Sequence, residues 1–151
     1  MLKSLIKKSL IRLGVEANNR EEAIIKAATP LVEEGMIESR YIDAIIRSMN
    51  ENGPYFVLLP SVALPHARPE EGALQNALGI TCLTQPVVFG SQGNDPVKYI
   101  FTLSATNDGQ HLESLANLSD LFEEPSFFEM LDKASDPQEV MDYLERNGEE
   151  D

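Results

Sequence analysis

Apolar side chains recur at the three- and four-residue spacing of an amphipathic helix in six segments of the chain. The predicted helices span about 1–10, 20–35, 39–52, 107–122, 126–133 and 137–146. Residues that favour helix ends support several of these boundaries. Asn19 can cap the second helix, Gly53 follows the third, and Asp136 stands before Pro137 at the start of the last.

Alternating or continuous apolar residues predict short strands between these helices. The extended segments are 11–16, 55–59, 62–64, 73–84, 86–89 and 97–105. Pro60 separates the second from the third, so that region is expected to be one strand or a bent strand. The last segment has the strongest strand character and is expected at the centre of the sheet. The pattern predicts an α/β fold, with a mixed sheet of four to five short strands flanked by helices.

A chain of 151 residues, 42% of them hydrophobic, can bury one core, and we expect a single compact domain over residues 1–151. The final acidic residues, from about 147, are expected to be frayed. No apolar run is long enough to span a bilayer, and the amino terminus does not resemble a secretory signal. We therefore expect a cytoplasmic protein without direct membrane insertion. The single cysteine, Cys82, is expected to be a small buried side chain.

The net charge is −13, from 25 acidic and 12 basic residues. This balance argues against a nucleic-acid footprint and against binding to anionic membranes. Two interpretations remain: an acidic surface favours basic protein partners, or the charge only keeps the domain soluble, and composition requires no more than the second. The chain also lacks a glycine-rich phosphate loop, a G-x-S-x-G motif and a C-x-x-C motif. The common nucleotide-binding, esterase and redox classes are thereby removed.

Residues 62–72, V-A-L-P-H-A-R-P-E-E-G, contain one of the two histidines of the chain. Prolines on both sides of His66 fix the backbone and favour an extended chain before each of them, so we expect a stiff surface loop. Arg68 offers a planar guanidinium that can hold phosphate oxygens. A neutral imidazole is a competent nucleophile near pH 7, and phosphoryl transfer needs mainly in-line positioning and charge compensation. His66 is therefore a candidate phosphoryl acceptor that needs no metal or cofactor; the alternative is a structural histidine.

His111 is the candidate second member of this site. It stands just before a stripe predicted to face the core, formed by Leu112, Leu115, Leu118 and then Leu121 or Phe122. A helix start presents free N–H groups and positive potential to an anion. His111 can donate a hydrogen bond to a phosphoryl group or orient the His66 tautomer; the alternative is a surface histidine. A zinc site is the other use of two histidines, but no third ligand stands out.

Glu70 and Glu71 carry charges that would repel a phosphoryl group held by Arg68. A structural role explains them better, because Pro69 can begin a short helical turn in which acidic residues are favourable, and one of them can pair with Arg68. Asp108, near the start of the helix predicted over 107–122, is likewise interpreted as a turn or capping residue.

The stretch V-A-L-P-H-A-R-P-E-E-G, followed 45 residues after its histidine by H-L-E-S-L-A-N-L, resembles EIIA components of the bacterial sugar phosphotransferase system (PTS). The chain is similar to the mannitol/fructose-type EIIA superfamily (PTS EIIA type 2), and the preceding G-P-Y-F-V-L resembles the ascorbate-specific branch most. The resemblance covers nearly the whole chain. It implies an α/β fold and a phosphohistidine carrier that accepts phosphate from phospho-HPr and passes it to an EIIB domain. The membrane component, EIIC, is involved only indirectly.

The resemblance makes His66 the phosphoryl acceptor, with a tele-phosphohistidine (Nε2) intermediate, and His111 the second active-site histidine. Mannitol-type members have an arginine shortly upstream of the active histidine, where this chain has Asn50, and Arg47 lies one helical turn earlier. That arginine is therefore not transferred, and Arg68 is inferred as its substitute. Sugar identity rests largely with the membrane component, so L-ascorbate is implied only by the branch.

Two alternatives to this transport hypothesis stay open. The same fold can serve as a regulatory module whose phosphorylation state controls a partner protein. A metal-dependent hydrolase that uses His66 and His111 belongs to a different class. The residues alone do not decide between these functions, and they give neither the phosphorylated ring nitrogen, the oligomeric state nor the strand order.

Overall fold

The computed structural model describes residues 4–147, and within that range it contains five strands and five α-helices. The strands are β1 (Ile11–Val15), β2 (Val57–Leu59), β3 (Val62–Ala63), β4 (Ala77–Val87) and β5 (Val97–Ser104). The helices are α1 (Arg20–Glu33), α2 (Ser39–Asn52), α3 (Asp108–Phe122), α4 (Pro125–Lys133) and α5 (Pro137–Asn147). Short 3-10 helices span Lys8–Leu10 and Pro69–Glu71.

All five strands belong to one mixed sheet with the order β1-β4-β5-β3-β2. Strand β5 lies in the middle, as predicted. It pairs antiparallel with β4 and parallel with β3, while β1 joins β4 in parallel and β2 joins β3 antiparallel. The predicted α/β class and mixed sheet are therefore confirmed. The parallel β3–β5 pair sends the chain out of both strands at the same edge of the sheet.

Helices cover both faces of the sheet, because successive residues of a strand point to opposite faces. Ile100 of β5 packs in a cluster with side chains of α1 and α2, including Leu31 and Ile45. Its neighbour Phe101 packs in a second cluster with α3, α4 and α5, to which Phe127 belongs. The sheet thus forms the middle layer of a single three-layer domain.

Periodicity and capping predicted most helices close to their observed bounds. The helix predicted over 39–52 is observed over those residues, and Asn19 accepts a hydrogen bond from the backbone N–H of Glu22 at the start of α1. The helix predicted over 1–10 is wrong for the described part, where the named element is only the turn Lys8–Leu10. The N–H of Leu78 donates to the carbonyl of Leu5, so the backbone there binds β4 instead of its own helix. Residues 1–3, and most of the tail expected to be frayed from about 147, lie outside the described residues.

The segment around Pro60 is a hairpin and not a bent strand. β2 and β3 pair antiparallel, with Val57 opposite Ala63, and Ser61 takes a left-handed conformation (φ 68°) in the turn between them. Conversely, one long strand, β4, replaces the two extended segments expected at 73–84 and 86–89, and residues 73–76 and 88–89 lie outside it. Pro86 is accommodated because the β4–β5 register shifts between Cys82 and Val87, so the pairing is already irregular there.

The leucine stripe of α3 is only partly buried. Leu118 lies in the core, whereas Leu112 is 67% exposed, so its predicted core position is wrong. The reason is geometric: Ser114 and Leu118 are the residues of α3 that are fully buried, and the first turn projects beyond them. Cys82 is buried and unpaired, as expected, and burial raises the pKa of its thiol to about 12. No helix within residues 4–147 combines the length and apolar character needed to cross a bilayer.

The helical layer formed by α3, α4 and α5 depends on Phe127, which is fully buried and packs against Phe101 and Tyr143. Replacing Phe127 by Ala leaves a cavity, and we expect the free energy of unfolding to fall by about 3–5 kcal/mol. Urea denaturation followed by circular dichroism measures this change. As a control, Leu112→Ala on the exposed turn of α3 should stay within about 0.5 kcal/mol of the wild type. Equal losses in both variants would contradict this account of the core.

Candidate active site

His66 lies in a loop that leaves the end of β3 and remains tied to its neighbours on both sides. The N–H of Leu64 donates to the carbonyl of Phe56, and the N–H of Leu103 in β5 donates to the carbonyl of Pro65 at 3.0 Å. Leu64 and Pro65 are buried, and the His66 side chain is half-buried. The two prolines and these hydrogen bonds give the stiff loop that the sequence predicted.

The ring of His66 has a defined hydrogen-bond partner. Its Nδ1 lies 2.8 Å from the carbonyl oxygen of Leu64. A carbonyl can only accept, so Nδ1 carries the proton and the neutral ring keeps the lone pair on Nε2. Burial lowers the pKa of His66, with a further lowering from the charge of His111, while the bond to Leu64 opposes both. The neutral ring with a free Nε2 is thus the favoured form at neutral pH.

His111 belongs to the first turn of α3. Asn107 caps this helix: its side chain accepts from the N–H of Gln110 at 2.8 Å, and its carbonyl accepts from the N–H of His111. The rings of His66 and His111 have centroids 4.8 Å apart and planes inclined by 56°. The fold therefore brings the two histidines together, although they are far apart in the sequence.

A cavity of about 470 Å³ opens in front of the two histidines and is lined by Arg68 and Arg47. Arg68 is at the rim, with its side chain 81% exposed and its guanidinium 4.0 Å from Glu70. Arg47, whose side chain is 59% exposed, reaches in from α2. The sequence did not assign Arg47 to the site, because the upstream arginine of mannitol-type members corresponds in spacing to Asn50 and not to Arg47. Its helical face was the available signal: positions 44, 47, 48 and 51 share one side of α2 and all line the cavity.

Glu71 links the two arginine segments. One carboxylate oxygen accepts from the backbone N–H of Arg68 at 3.2 Å, and the other accepts from Nη2 of Arg47 at 3.3 Å. Pro69 begins the 3-10 helix that carries Glu71, in agreement with the structural role predicted for the acidic pair. Glu71 thereby holds Arg47 beside the cavity while it keeps its own charge paired.

Tyr55 covers one side of His66 and was also missed. Its ring stands edge-on to the His66 ring, with centroids 6.0 Å apart. Its hydroxyl donates to the carbonyl of His66 at 3.4 Å and accepts from Ser48 of α2 at 3.3 Å. No sequence motif marks Tyr55; the β2–β3 hairpin returns the chain so that the residues before β2 meet those after β3.

The arrangement combines a nucleophilic nitrogen with groups that stabilise negative charge. Nε2 of His66 is unprotonated in the neutral ring, two guanidinium groups line the cavity, and the start of α3 contributes positive potential. Such a site can hold and transfer a phosphoryl group. Among residues 4–147 no group of three or more His, Cys, Asp or Glu side chains is placed to hold a metal ion.

The family model described as "Phosphoenolpyruvate-dependent sugar phosphotransferase system, EIIA 2" matches residues 4–147. A relative, the ascorbate-specific PTS system EIIA component of Salmonella choleraesuis (strain SC-B67), is 36% identical over 144 residues, which cover 95% of this chain and 94% of the relative. The solution structure of the mannitol-specific cryptic phosphotransferase enzyme IIA CmtB from Escherichia coli has a TM-score of 0.85 and 36% identity, covering 97% of this chain and 100% of that chain. The complex of enzyme IIAMTL and phosphorylated enzyme IIBMTL from Escherichia coli has a TM-score of 0.81 at 26% identity, covering 95% and 100%.

The surroundings of His66 predict its titration. Because burial disfavours the charged ring, the pKa of His66 should lie below the ordinary value of 6.5 in a pH titration followed by NMR. His111→Gln removes a neighbouring positive charge, so the pKa of His66 should rise in this variant. Leu112→Ala, which changes an adjacent uncharged side chain, should leave it unchanged.

The same shift predicts how stability depends on pH. Between the lowered folded pKa and 6.5, the unfolded chain binds more protons at this histidine than the folded chain does. The contribution of His66 to the free energy of unfolding should therefore be complete above pH 6.5 and fall as the pH drops through that window. Urea titrations of the wild type and of His66→Gln at several pH values isolate this contribution. A pKa of His66 above 6.5 would contradict the assigned surroundings.

Proposed function

Because the chain belongs to the EIIA type 2 family of the phosphoenolpyruvate-dependent sugar phosphotransferase system, we propose that His66 is its phosphoryl carrier. In this proposal His66 accepts the group from phospho-HPr and passes it to an EIIB domain in the cytoplasm. The observation that carries the proposal is the hydrogen bond from Nδ1 of His66 to the carbonyl of Leu64, which leaves Nε2 free. The ring of His111, 4.8 Å away, supplies the second group of the site.

The transfer begins with attack of the Nε2 lone pair on the phosphorus atom of the donor phosphohistidine. A new P–N bond forms while the P–N bond of the donor breaks, and the leaving imidazole nitrogen keeps the electron pair. The phosphorylated ring of His66 retains the proton on Nδ1 and so carries positive charge, which the carbonyl of Leu64 stabilises. The product is a tele-phosphohistidine, and the same steps in reverse deliver the group to EIIB.

The oxygens of the phosphoryl group need positive partners during transfer. Arg68 and Arg47 both line the cavity, so the proposal keeps Arg68 and adds Arg47. Arg47 is already held at the cavity by Glu71, and its planar guanidinium can turn from that carboxylate to the phosphoryl oxygens. His111 donates a hydrogen bond to the same group from the start of α3.

The comparisons support the choice of acceptor and sugar. A structural relative is known in complex with phosphorylated enzyme IIB, and sequence relatives are ascorbate-specific. We therefore propose an EIIB domain as the direct acceptor and L-ascorbate as the sugar that the EIIC component transports. The net charge of −13 favours encounter with partners whose active faces are basic, and it acts mainly on the association rate.

Reconstitution tests the carrier role. When the protein is incubated with phosphoenolpyruvate, enzyme I and HPr, we expect one phosphoryl group on Nε2 of His66, mapped by mass spectrometry and by nitrogen-15 and phosphorus-31 NMR. His66→Ala should take up none, whereas Asn107→Asp, which retains a capping oxygen away from the nucleophile, should still be labelled. Full labelling of His66→Ala would refute the assignment.

The two arginines can be separated by matched substitutions. Arg47→Gln and Arg68→Gln each remove a cation from the cavity, and we expect the rate of phosphoryl transfer to fall about 10²-fold in either variant. Arg40→Gln, an exposed arginine of the same helix α2 that pairs with Glu38, is the control and should transfer at the wild-type rate. Rapid-quench experiments with phospho-HPr measure the transfer rate of each variant. If the rate of one variant is unchanged, the arginine replaced in that variant does not take part in the transfer.

The acceptor identifies the pathway. The phosphorylated protein should transfer to an ascorbate-type EIIB domain faster than to a mannitol-type EIIB domain, as measured by gel separation of the labelled proteins. Faster transfer to the mannitol-type domain would overturn the sugar assignment. Phosphorylation of His66 without transfer to either domain would instead favour the regulatory function.

A further inference from the structure

Tyr41, on α2, carries a hydroxyl that binds the backbone of two chain segments at once. The side chain is 1% exposed. Its oxygen lies 3.0 Å from the backbone nitrogen of Ala67, directly after His66, and 2.8 Å from the carbonyl oxygen of Leu103 in β5. The carbonyl oxygen of Ala67 is 3.1 Å away. The phenol therefore stands between the His66 loop and the central strand.

The hydrogen-bonding capacity of a phenol fits this position. The Tyr41 oxygen accepts from the N–H of Ala67, and its single proton can go to the carbonyl of Leu103, the nearer of the two carbonyl acceptors. Burial raises the pKa of Tyr41 to about 12, so this proton is present at neutral pH. The phenol thus bridges an N–H donor and a carbonyl acceptor.

The β3–β5 register explains why a bridge is needed at this point. The two strands are parallel, with Val62 opposite Tyr99 and Ala63 opposite Ile100. Continued past the end of β3, this register places His66 opposite Leu103.

A regular parallel pair around Leu103 would contain two hydrogen bonds. The first, from the N–H of Leu103 to the carbonyl of Pro65, is present at 3.0 Å. The second would run from the N–H of Ala67 to the carbonyl of Leu103. The hydroxyl of Tyr41 occupies this place and binds both groups instead. At Ala67, one residue after the histidine, the loop is thereby held away from β5 by the width of one oxygen atom.

We propose that Tyr41 is a positioning residue for phosphoryl transfer. Its inserted hydroxyl sets the separation between the His66 loop and β5. Because α3 follows β5 after a short connection, this separation also determines the position of the His66 ring relative to the His111 ring. The inference rests on the carrier role proposed for His66.

Tyr41→Phe removes the inserted oxygen and tests the proposal. The N–H of Ala67 then either closes onto the carbonyl of Leu103 or loses its partner, and in both cases the loop moves relative to β5. Tyr143→Phe is the matched control, because the buried Tyr143 shares its hydroxyl hydrogen bond with Ser126, away from the cavity. Both variants lose one hydrogen-bonded phenol hydroxyl.

Kinetics with phospho-HPr provide the functional measurement. Since the effect is one of placement, we expect kcat for phosphoryl transfer to fall about 10- to 100-fold in Tyr41→Phe while KM stays within about twofold. Tyr143→Phe should transfer at the wild-type rate even if its unfolding midpoint falls equally. Equal kcat values in the two variants would overturn the proposal.

NMR of the unphosphorylated protein separates this inference from the carrier proposal. The nuclear Overhauser contact between the rings of His66 and His111 should weaken in Tyr41→Phe and persist in Tyr143→Phe, while the Nδ1–H tautomer of His66 is retained in both. Unchanged ring contacts would overturn the positioning role alone, whereas absence of His66 phosphorylation in the wild type would overturn the proposed function. If Tyr41→Phe does not fold, 3-fluorotyrosine at position 41 keeps the hydroxyl but weakens it as an acceptor. An intermediate loss of kcat in that protein supports the role, and an unchanged kcat refutes it.

Discussion

The parallel pairing of β3 with β5 is the constraint on which the site depends. Parallel neighbours end at the same edge of a sheet, so the chain leaves both strands side by side. His66 follows β3 within a few residues, and α3 with His111 follows β5 within a few residues. The two halves of the site therefore meet although they are far apart in the sequence. The carboxyl ends of parallel strands are the common place for such sites in α/β folds.

The sequence predicts the parts of this arrangement better than their assembly. Local patterns carry enough information for α2, for the cap at Asn19 and for a stiff loop around His66, because each depends on nearby residues only. The meeting of His66 with His111 depends on strand order, which no local pattern encodes. The chemistry of a helix start made His111 a candidate partner, and the resemblance to a known family implied the pairing. The hairpin at Pro60 was missed for the same reason, since a bent strand and a tight turn share their local signals.

Two side chains, Leu112 and Arg47, show what helix periodicity does and does not predict. Leu112 continues the apolar spacing of α3, yet it is exposed, because the first turn of that helix extends past the packed core. Arg47 was set aside on a comparison of spacing, whereas the face of α2 that carries it already pointed to the cavity. Both side chains are exposed and lie outside the core, and Arg47 lines the cavity. Periodicity identifies a helix face but does not say where along the helix the core ends.

The ion pairs of the two arginines and the charge on the His66 ring can both change during phosphoryl transfer at little energetic cost. Arg47 and Arg68 pair with Glu71 and Glu70 in largely exposed ion pairs, which contribute little stability. Turning a guanidinium towards a phosphoryl group therefore costs little. At His66 burial opposes positive charge on the ring, while the carbonyl of Leu64 favours it. The free ring stays neutral and nucleophilic, and the phosphorylated ring, which keeps its Nδ1 proton, still has an acceptor for it. Since a carrier must both receive and release its group, opposing effects of this kind suit it better than strong stabilisation of either state.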